Sequence, residues 1–148
     1  GLLNIALKSL GAILKGGNSE IVDFVDYAEL IKKKGLNIMN GPGNDLESMT
    51  GIAASGANVI LFSTGRGTAE GNLIVPVIKI STRTEVYEKM RGDIDFNAGQ
   101  LLDGNISQED LSNELLDMVT YVASGKKTRT EFWKKRSFQI WTAGKLSL

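Results

Sequence analysis

The sequence predicts an α/β domain of three α/β/α layers, with a mostly parallel Rossmann-like or flavodoxin-like sheet and helices on both faces. Strand patterns alternate with amphipathic helix patterns along most of the chain, and short glycine loops separate them. That order favours parallel strands joined by right-handed crossovers. The chain has 148 residues, ordinary globular composition and no internal repeat, so we expect a single α/β domain over 1–148.

Five segments rich in apolar, β-branched or aromatic residues predict strands: 21–27, 36–40, 59–62, 75–80 and 94–99. The last of them is a short strand or a structured turn. Pro76 is tolerated only near the start of a strand or at an edge. A further edge strand is predicted at 138–141, and the polar segment 28–34 is expected to be a short helix or a loop.

Helices are predicted where apolar residues recur every three or four positions, beginning near Leu3, Asn44, Thr82 and Ser107. Asn44 or Asp45 is the expected N-cap of the second helix, and Gly56 ends it. Thr82 to Glu85 has the pattern of a capping box for the third helix. The segment 128–136 is basic and amphipathic.

The composition excludes several classes of function for this chain. Lys+Arg and Asp+Glu are both 17, which argues against a nucleic-acid partner, and no apolar run predicts a membrane partner. The chain has no cysteine, which suits a cytoplasmic location. It also has no histidine, so a metal bound within it would need oxygen ligands, and a general base would be Lys, Asp, Glu or Tyr.

The segment 63–67, Ser-Thr-Gly-Arg-Gly, follows an apolar strand pattern and is the best local candidate for a binding site. Ligands of open α/β sheets bind outside the carboxyl ends of the strands. Loop glycines allow close approach of backbone N–H groups, and Arg66 can hold a carboxylate or phosphate with two hydrogen bonds. The alternative is a tight strand-to-helix connection with a solvated Arg66. The glycine spacing fits neither a dinucleotide motif nor a P-loop.

Three small polar loops at 40–45, 63–67 and 81–84 each follow a predicted strand, and parallel strands would bring them to one sheet edge. Such an edge suits a polyhydroxylated anion. Arg66 would hold a carboxylate there, and Asn44, Thr64 and Thr82 would bond hydroxyls. Arg83 could replace Arg66, although the capping-box register points it to solvent. The predicted binding residues are Asn44, Ser63, Thr64, Gly65, Arg66, Gly67 and Thr82.

Ordered motifs across nearly the whole chain carry a resemblance to a known family. They are Lys8-Ser-Leu-Gly11 with Lys15-Gly-Gly17, Asp26-Tyr27, Gly35-Leu-Asn37, Pro42-Gly-Asn-Asp45, Phe62-Ser-Thr-Gly-Arg-Gly-Thr68, Val75-Pro-Val-Ile-Lys79, Ile94-Asp-Phe-Asn-Ala-Gly99 and Ala123-Ser-Gly-Lys126. In order and spacing they resemble the carboxy-terminal domain of the altronate and galactarate dehydratase family. Sulfolactate sulfo-lyase large subunits are similar over the same region.

The resemblance implies a hydro-lyase that converts a sugar acid such as altronate or galactarate to a 2-oxo-3-deoxy acid. It also implies Fe²⁺ or another divalent metal, with the ligands expected in upstream domains of the same polypeptide and none assigned here. The chain would be roughly the last third of that polypeptide, in a homodimer. Two alternatives stay open: a fragment of a sulfolactate sulfo-lyase large subunit, and a non-catalytic assembly module.

The catalytic residues are not identified by any motif, and Asp45, Lys79 and Asp95 are the candidates. A loop carboxylate is more often a cap or a solvated charge, and Lys79 is otherwise expected to face solvent or an ion-pair partner. The chain departs from the family at Ala6 and Leu7, where acidic residues are usual, and at residues 69–70. These departures leave the substrate open.

Overall fold

The computed structural model describes residues 4–142 and shows an α/β fold with parallel strands, as predicted. The helices are α1 (Ile5–Leu14), α2 (Asp45–Ala54), α3 (Thr84–Lys89), α4 (Gln108–Ala123) and α5 (Arg129–Phe132), and a 3-10 turn spans Gly99–Leu101. The strands are β1 (Ile21–Val25), β2 (Leu36–Met39), β3 (Ile60–Thr64), β4 (Val77–Ser81) and β5 (Phe96–Asn97). The residue predicted to begin α1, Leu3, lies outside the described part.

The strands fall into two parallel sheets rather than one continuous sheet. β1 pairs with β2, and the larger sheet has the order β3-β4-β5. The larger sheet therefore has β4 at its centre, and all five residues of β4 are buried.

Each face of β4 packs against a different apolar cluster. Ile78 and Ile80 pack with Phe96 of β5 and with apolar residues of α4. Val77 packs instead with Met49 of α2. Because successive strand residues point to opposite faces, the two helices cover opposite faces of the larger sheet.

The capping box predicted at Thr82 is wrong. The N-cap of α3 is Arg83, and its side chain makes no capping hydrogen bond. Ser81 explains the shift, because its hydroxyl accepts from the Arg83 backbone N–H at 3.2 Å and donates to the Arg83 carbonyl at 2.8 Å. Thr82 instead points its hydroxyl at the carbonyl of Thr64, 3.5 Å away.

The edge strand predicted at 138–141 is also wrong. The backbone N–H of Gln139 donates to the Thr50 hydroxyl at 3.2 Å, and that of Trp141 donates to the Tyr27 hydroxyl at 3.3 Å. Side chains on or near α2 therefore take the hydrogen bonds that a neighbouring strand would have taken. Only Ser137, which bridges Asn72, makes a strand-like pairing there.

Segment 28–34 is an irregular loop, one of the two possibilities left open for it. None of the helices among residues 4–142 has both the length and the apolar character needed to cross a bilayer.

Gly51 lies in α2 where the Tyr27 ring packs on the helix, and a Cβ at this position would overlap the ring. Tyr27 is held there by its hydroxyl, which donates to the Glu47 carbonyl at 2.7 Å. We therefore expect Gly51→Ala to lower the free energy of unfolding by about 1–3 kcal/mol, as overpacking does. Urea denaturation monitored by circular dichroism measures it.

The matched control is Gly11→Ala in α1, where a new Cβ has no neighbour within 4 Å. There the usual helix preference for alanine should stabilise by about 0.5–1 kcal/mol. Stabilisation by both substitutions would show that the Tyr27 ring does not hold this position.

Candidate functional site

The carboxyl edge of the larger sheet brings together polar residues from three strands. Thr64 of β3 is in register with Ser81 of β4, and Ser81 with Asn97 of β5. The Thr82 backbone N–H donates to the Thr64 carbonyl at 3.1 Å, which joins the loops after β3 and β4. We call this group of side chains and the loops that follow it the strand-end edge.

The 63–67 loop is an internally bonded turn. The Thr64 hydroxyl oxygen accepts from the backbone N–H groups of Arg66 at 3.3 Å and Gly67 at 3.0 Å. Gly67 has φ +86°, and a Cβ at this position would overlap the sulfur of Met90, the C-cap residue of α3. These two N–H groups are therefore hydrogen-bonded within the turn, whereas Ser63 and Arg66 are exposed.

Asn44 and Asp45 lie after β2, which is part of the smaller sheet. The Asn44 side chain caps α2 by accepting from the N–H groups of Leu46 at 3.1 Å and Glu47 at 3.5 Å. Asp45 is the exposed first residue of the helix. Asn44 is therefore the N-cap that the sequence predicted, and neither residue lies at the end of a strand that shares the strand-end edge.

The third loop at the strand-end edge follows β5, and sequence reasoning missed it as a site element. The Asn97 amide donates to the Thr84 hydroxyl at 3.1 Å and its oxygen accepts from the Gly99 N–H at 3.0 Å. Thr84 also donates to the Asp103 carboxylate. The signal was present in Ile94-Asp-Phe-Asn-Ala-Gly99, where a polar residue and a glycine end a short apolar segment.

Lys79 is fully buried at the centre of β4, so the expectation of a solvent-facing or ion-paired lysine was wrong. Within the described range 4–142, its Nζ has no hydrogen-bond partner. Burial lowers the pKa of Lys79 to about 8, although the nearby carboxylates of Asp95, Asp93 and Glu70 oppose that shift. The positive charge of the neighbouring Lys135, which pairs with Asp93, lowers the pKa of Lys79 further. As a catalytic residue Lys79 stays a prediction, since its amine is sealed from solvent in this arrangement.

Asp95 joins β4 to α5. Its two carboxylate oxygens accept from the backbone N–H groups of Lys79 at 2.8 Å and Arg129 at 2.7 Å. Burial raises the pKa of Asp95 above its ordinary value, and these two hydrogen bonds oppose the shift. Asp95 is also one of the residues that line a cavity of about 300 Å³ beside α4 and α5. Asp95 is therefore held in place by β4 and by the first residue of α5.

A metal site does not emerge from the described chain. Among residues 4–142, no cluster of three or more Asp or Glu side chains has the geometry to hold a metal ion. The described residues therefore offer no set of three carboxylates for the divalent metal that the resemblance implies.

The larger sheet is a parallel α/β sheet with small polar loops at its strand ends, which is where open α/β sheets that have ligands bind them. Sequence comparison identifies the family. The chain belongs to the family described as D-galactarate/altronate dehydratase, C-terminal, whose profile matches residues 1–146. This confirms the resemblance that the ordered motifs carry.

Curated relatives agree on the family. Over 144 residues the chain is 40% identical to an altronate dehydratase of Escherichia coli K12, covering 97% of this chain and 29% of that protein. It is 40% identical over 134 residues to a galactarate dehydratase (L-threo-forming) of the same organism, and the match covers 90% of this chain and 26% of that protein. A (2R)-sulfolactate sulfo-lyase subunit beta of Chromohalobacter salexigens is 35% identical over 141 residues, and the match covers 95% of this chain and 36% of that protein. The chain thus spans about a third or less of each of these relatives.

The lowered pKa of Lys79 makes folding stability depend on pH. Between about pH 8 and 10.5 the unfolded chain holds a proton on Lys79 that the folded chain has lost, so stability rises with pH in that window. The shift from 10.5 to about 8 corresponds to about 3 kcal/mol. The measured quantity is the difference in unfolding free energy between the wild type and Lys79→Met. We expect this difference to increase by up to about 3 kcal/mol from pH 7.5 to 10.5.

Urea denaturation at several pH values measures the difference, and the subtraction removes the other titrating groups. Lys89→Met is the matched control, because Lys89 is exposed and paired with Glu85. A difference between wild type and Lys79→Met that stays flat across this window would show that the buried amine keeps an ordinary pKa.

Proposed function

We propose that the chain is the carboxy-terminal part of a sugar-acid dehydratase, a hydro-lyase acting on an aldonate or aldarate such as altronate or galactarate. The observation that carries the proposal is the family match over residues 1–146. Relatives named altronate dehydratase and galactarate dehydratase support the substrate class. The reaction removes a proton α to the carboxylate and a hydroxyl from the next carbon, and the resulting enol becomes a 2-oxo-3-deoxy acid.

The strand-end edge is proposed to form one wall of the sugar-acid cleft. Arg66 is exposed at the tip of the 63–67 loop, and its side chain takes part in none of the ion pairs found among residues 4–142. It can therefore bind a substrate carboxylate through two parallel hydrogen bonds. Ser63 and Thr82 are also exposed, and their hydroxyls suit the substrate hydroxyls.

The remaining parts of the machinery are proposed to lie in upstream domains of the same polypeptide. Fe²⁺ or another divalent metal bound there would stabilise the negative charge that develops on the substrate. Assembly as a homodimer and a cytoplasmic location complete the proposal.

The substrate class is tested with the complete polypeptide that contains this chain, loaded with Fe²⁺ and offered altronate and galactarate. The expected result is a 2-oxo-3-deoxy acid, detected by its reaction with semicarbazide. If none of the six-carbon sugar acids is dehydrated, the substrate assignment fails.

Sulfonate elimination is the second candidate, and the similarity to a sulfo-lyase subunit favours it. Release of sulfite from sulfolactate by the same preparation, without dehydration of sugar acids, would replace the primary proposal with this one.

Arg66→Ala is expected to lower kcat/KM of the complete enzyme by about a hundredfold. The reason is that hydrogen bonds to charged groups contribute about 1.5–3 kcal/mol. Steady-state kinetics with the best sugar acid measure the effect.

Arg83→Ala is the matched control, because Arg83 is exposed on the same side of the sheet but is paired with Glu85 at 3.0 Å. If Arg66→Ala leaves the kinetics unchanged, the 63–67 loop is a tight turn with a solvated Arg66 and does not bind the substrate.

A further inference from the structure

The cavity of about 300 Å³ beside α4 and α5 is lined by none of the strand-end edge residues Thr64, Ser81 and Asn97. It lies next to Asp95, which precedes β5, whereas the loops of the strand-end edge follow the ends of β3, β4 and β5. Its apolar wall comes from Met118 and Val122 of α4 and Phe132 of α5. The volume is within the range of small-molecule sites. We call it the α4–α5 pocket.

The fixed acceptor of the α4–α5 pocket is Asp95. Each of its oxygens already accepts one backbone N–H, from Lys79 and from Arg129, so the carboxylate cannot rotate away. A carboxylate oxygen has two lone pairs, so each oxygen can accept one further hydrogen bond. The structure therefore places an immobile acceptor for a ligand hydroxyl on the lining.

The pocket also carries three cationic side chains, Lys126, Lys127 and Arg129. None of them is in an ion pair among residues 4–142, and Lys126 lies 5.5 Å from the centre of the Tyr121 ring. The neighbouring carboxylate of Glu131 is engaged in the capping box of α5, where it accepts from the Thr128 N–H at 2.9 Å. The lining therefore has an excess of positive charge over the single Asp95 carboxylate.

We propose that the α4–α5 pocket binds a short hydroxylated carboxylate, as an accessory sugar-acid site distinct from the strand-end edge. The ligand carboxylate lies among Lys126, Lys127 and Arg129, and a ligand hydroxyl donates to Asp95. The carbon chain runs along the apolar wall. The choice of a sugar acid as the ligand rests on the proposed function. The presence of cations beside a fixed acceptor rests on the structure alone.

The test titrates the ¹⁵N-labelled 148-residue chain, which has its own core on both faces of β4, with galactarate and with adipate. Both are six-carbon dicarboxylates, and only galactarate has hydroxyls. The expected result is saturable shifts of the Lys79 and Arg129 amide signals, whose N–H groups bond Asp95. Adipate should bind at least tenfold more weakly.

The variant Lys127→Gln with Arg129→Gln should weaken galactarate binding at these amides at least tenfold. Its matched control, Lys15→Gln with Lys34→Gln, removes two exposed lysines outside the pocket and should leave binding unchanged. Thermal melts check that both double variants remain folded, and single replacement of Lys127 serves if the pocket variant does not fold.

Equal affinity for adipate, equal effects of the two double variants, or no saturable shift would each overturn the accessory site. Shifts confined to residues 63–67 and Thr82 would also overturn it, while supporting the proposed cleft. The dehydration assay on the complete polypeptide decides the proposed function separately, so failure of one proposal is distinguishable from failure of the other.

Discussion

The fold depends on the complete burial of β4. This strand has apolar side chains on both faces, so α2 and α4 can each pack an apolar surface against it. The same burial encloses Lys79, whose charged form is thereby disfavoured. The core thus tolerates one costly charge at its centre, and the carboxylates of Glu70, Asp93 and Asp95 offset part of that cost.

Asp95 links this central strand to the rest of the domain. Its backbone N–H donates to the Lys79 carbonyl, while its side chain accepts from β4 and from the first residue of α5. One residue therefore fixes the separation between the sheet and the segment that carries Lys126 to Arg129. The α4–α5 pocket is lined by both ends of this link, Asp95 and Arg129.

The strand-end edge follows from parallel pairing, since adjacent parallel strands must end at the same side of the sheet. Thr64, Ser81 and Asn97 meet there because their strands are in register. Local patterns identified the loops after β3 and β4, but they also placed the loop after β2 at this edge, where the structure has the loop after β5. The loop after β2 looked equally suitable in sequence, yet β2 pairs only with β1.

By itself, the sequence determined the α/β class, the approximate positions of the strands and most helices, the Asn44 cap and the family, because these depend on local periodicity and ordered motifs. Tertiary structure decided the division into two sheets. The start of α3 and the path of the tail were decided there too, because the side chains of Ser81, Thr50 and Tyr27 form hydrogen bonds with the backbone at those places. It also decided that Lys79 is buried and that Asp95 meets Arg129. Those outcomes depend on long-range packing, which alternation along a strand does not reveal.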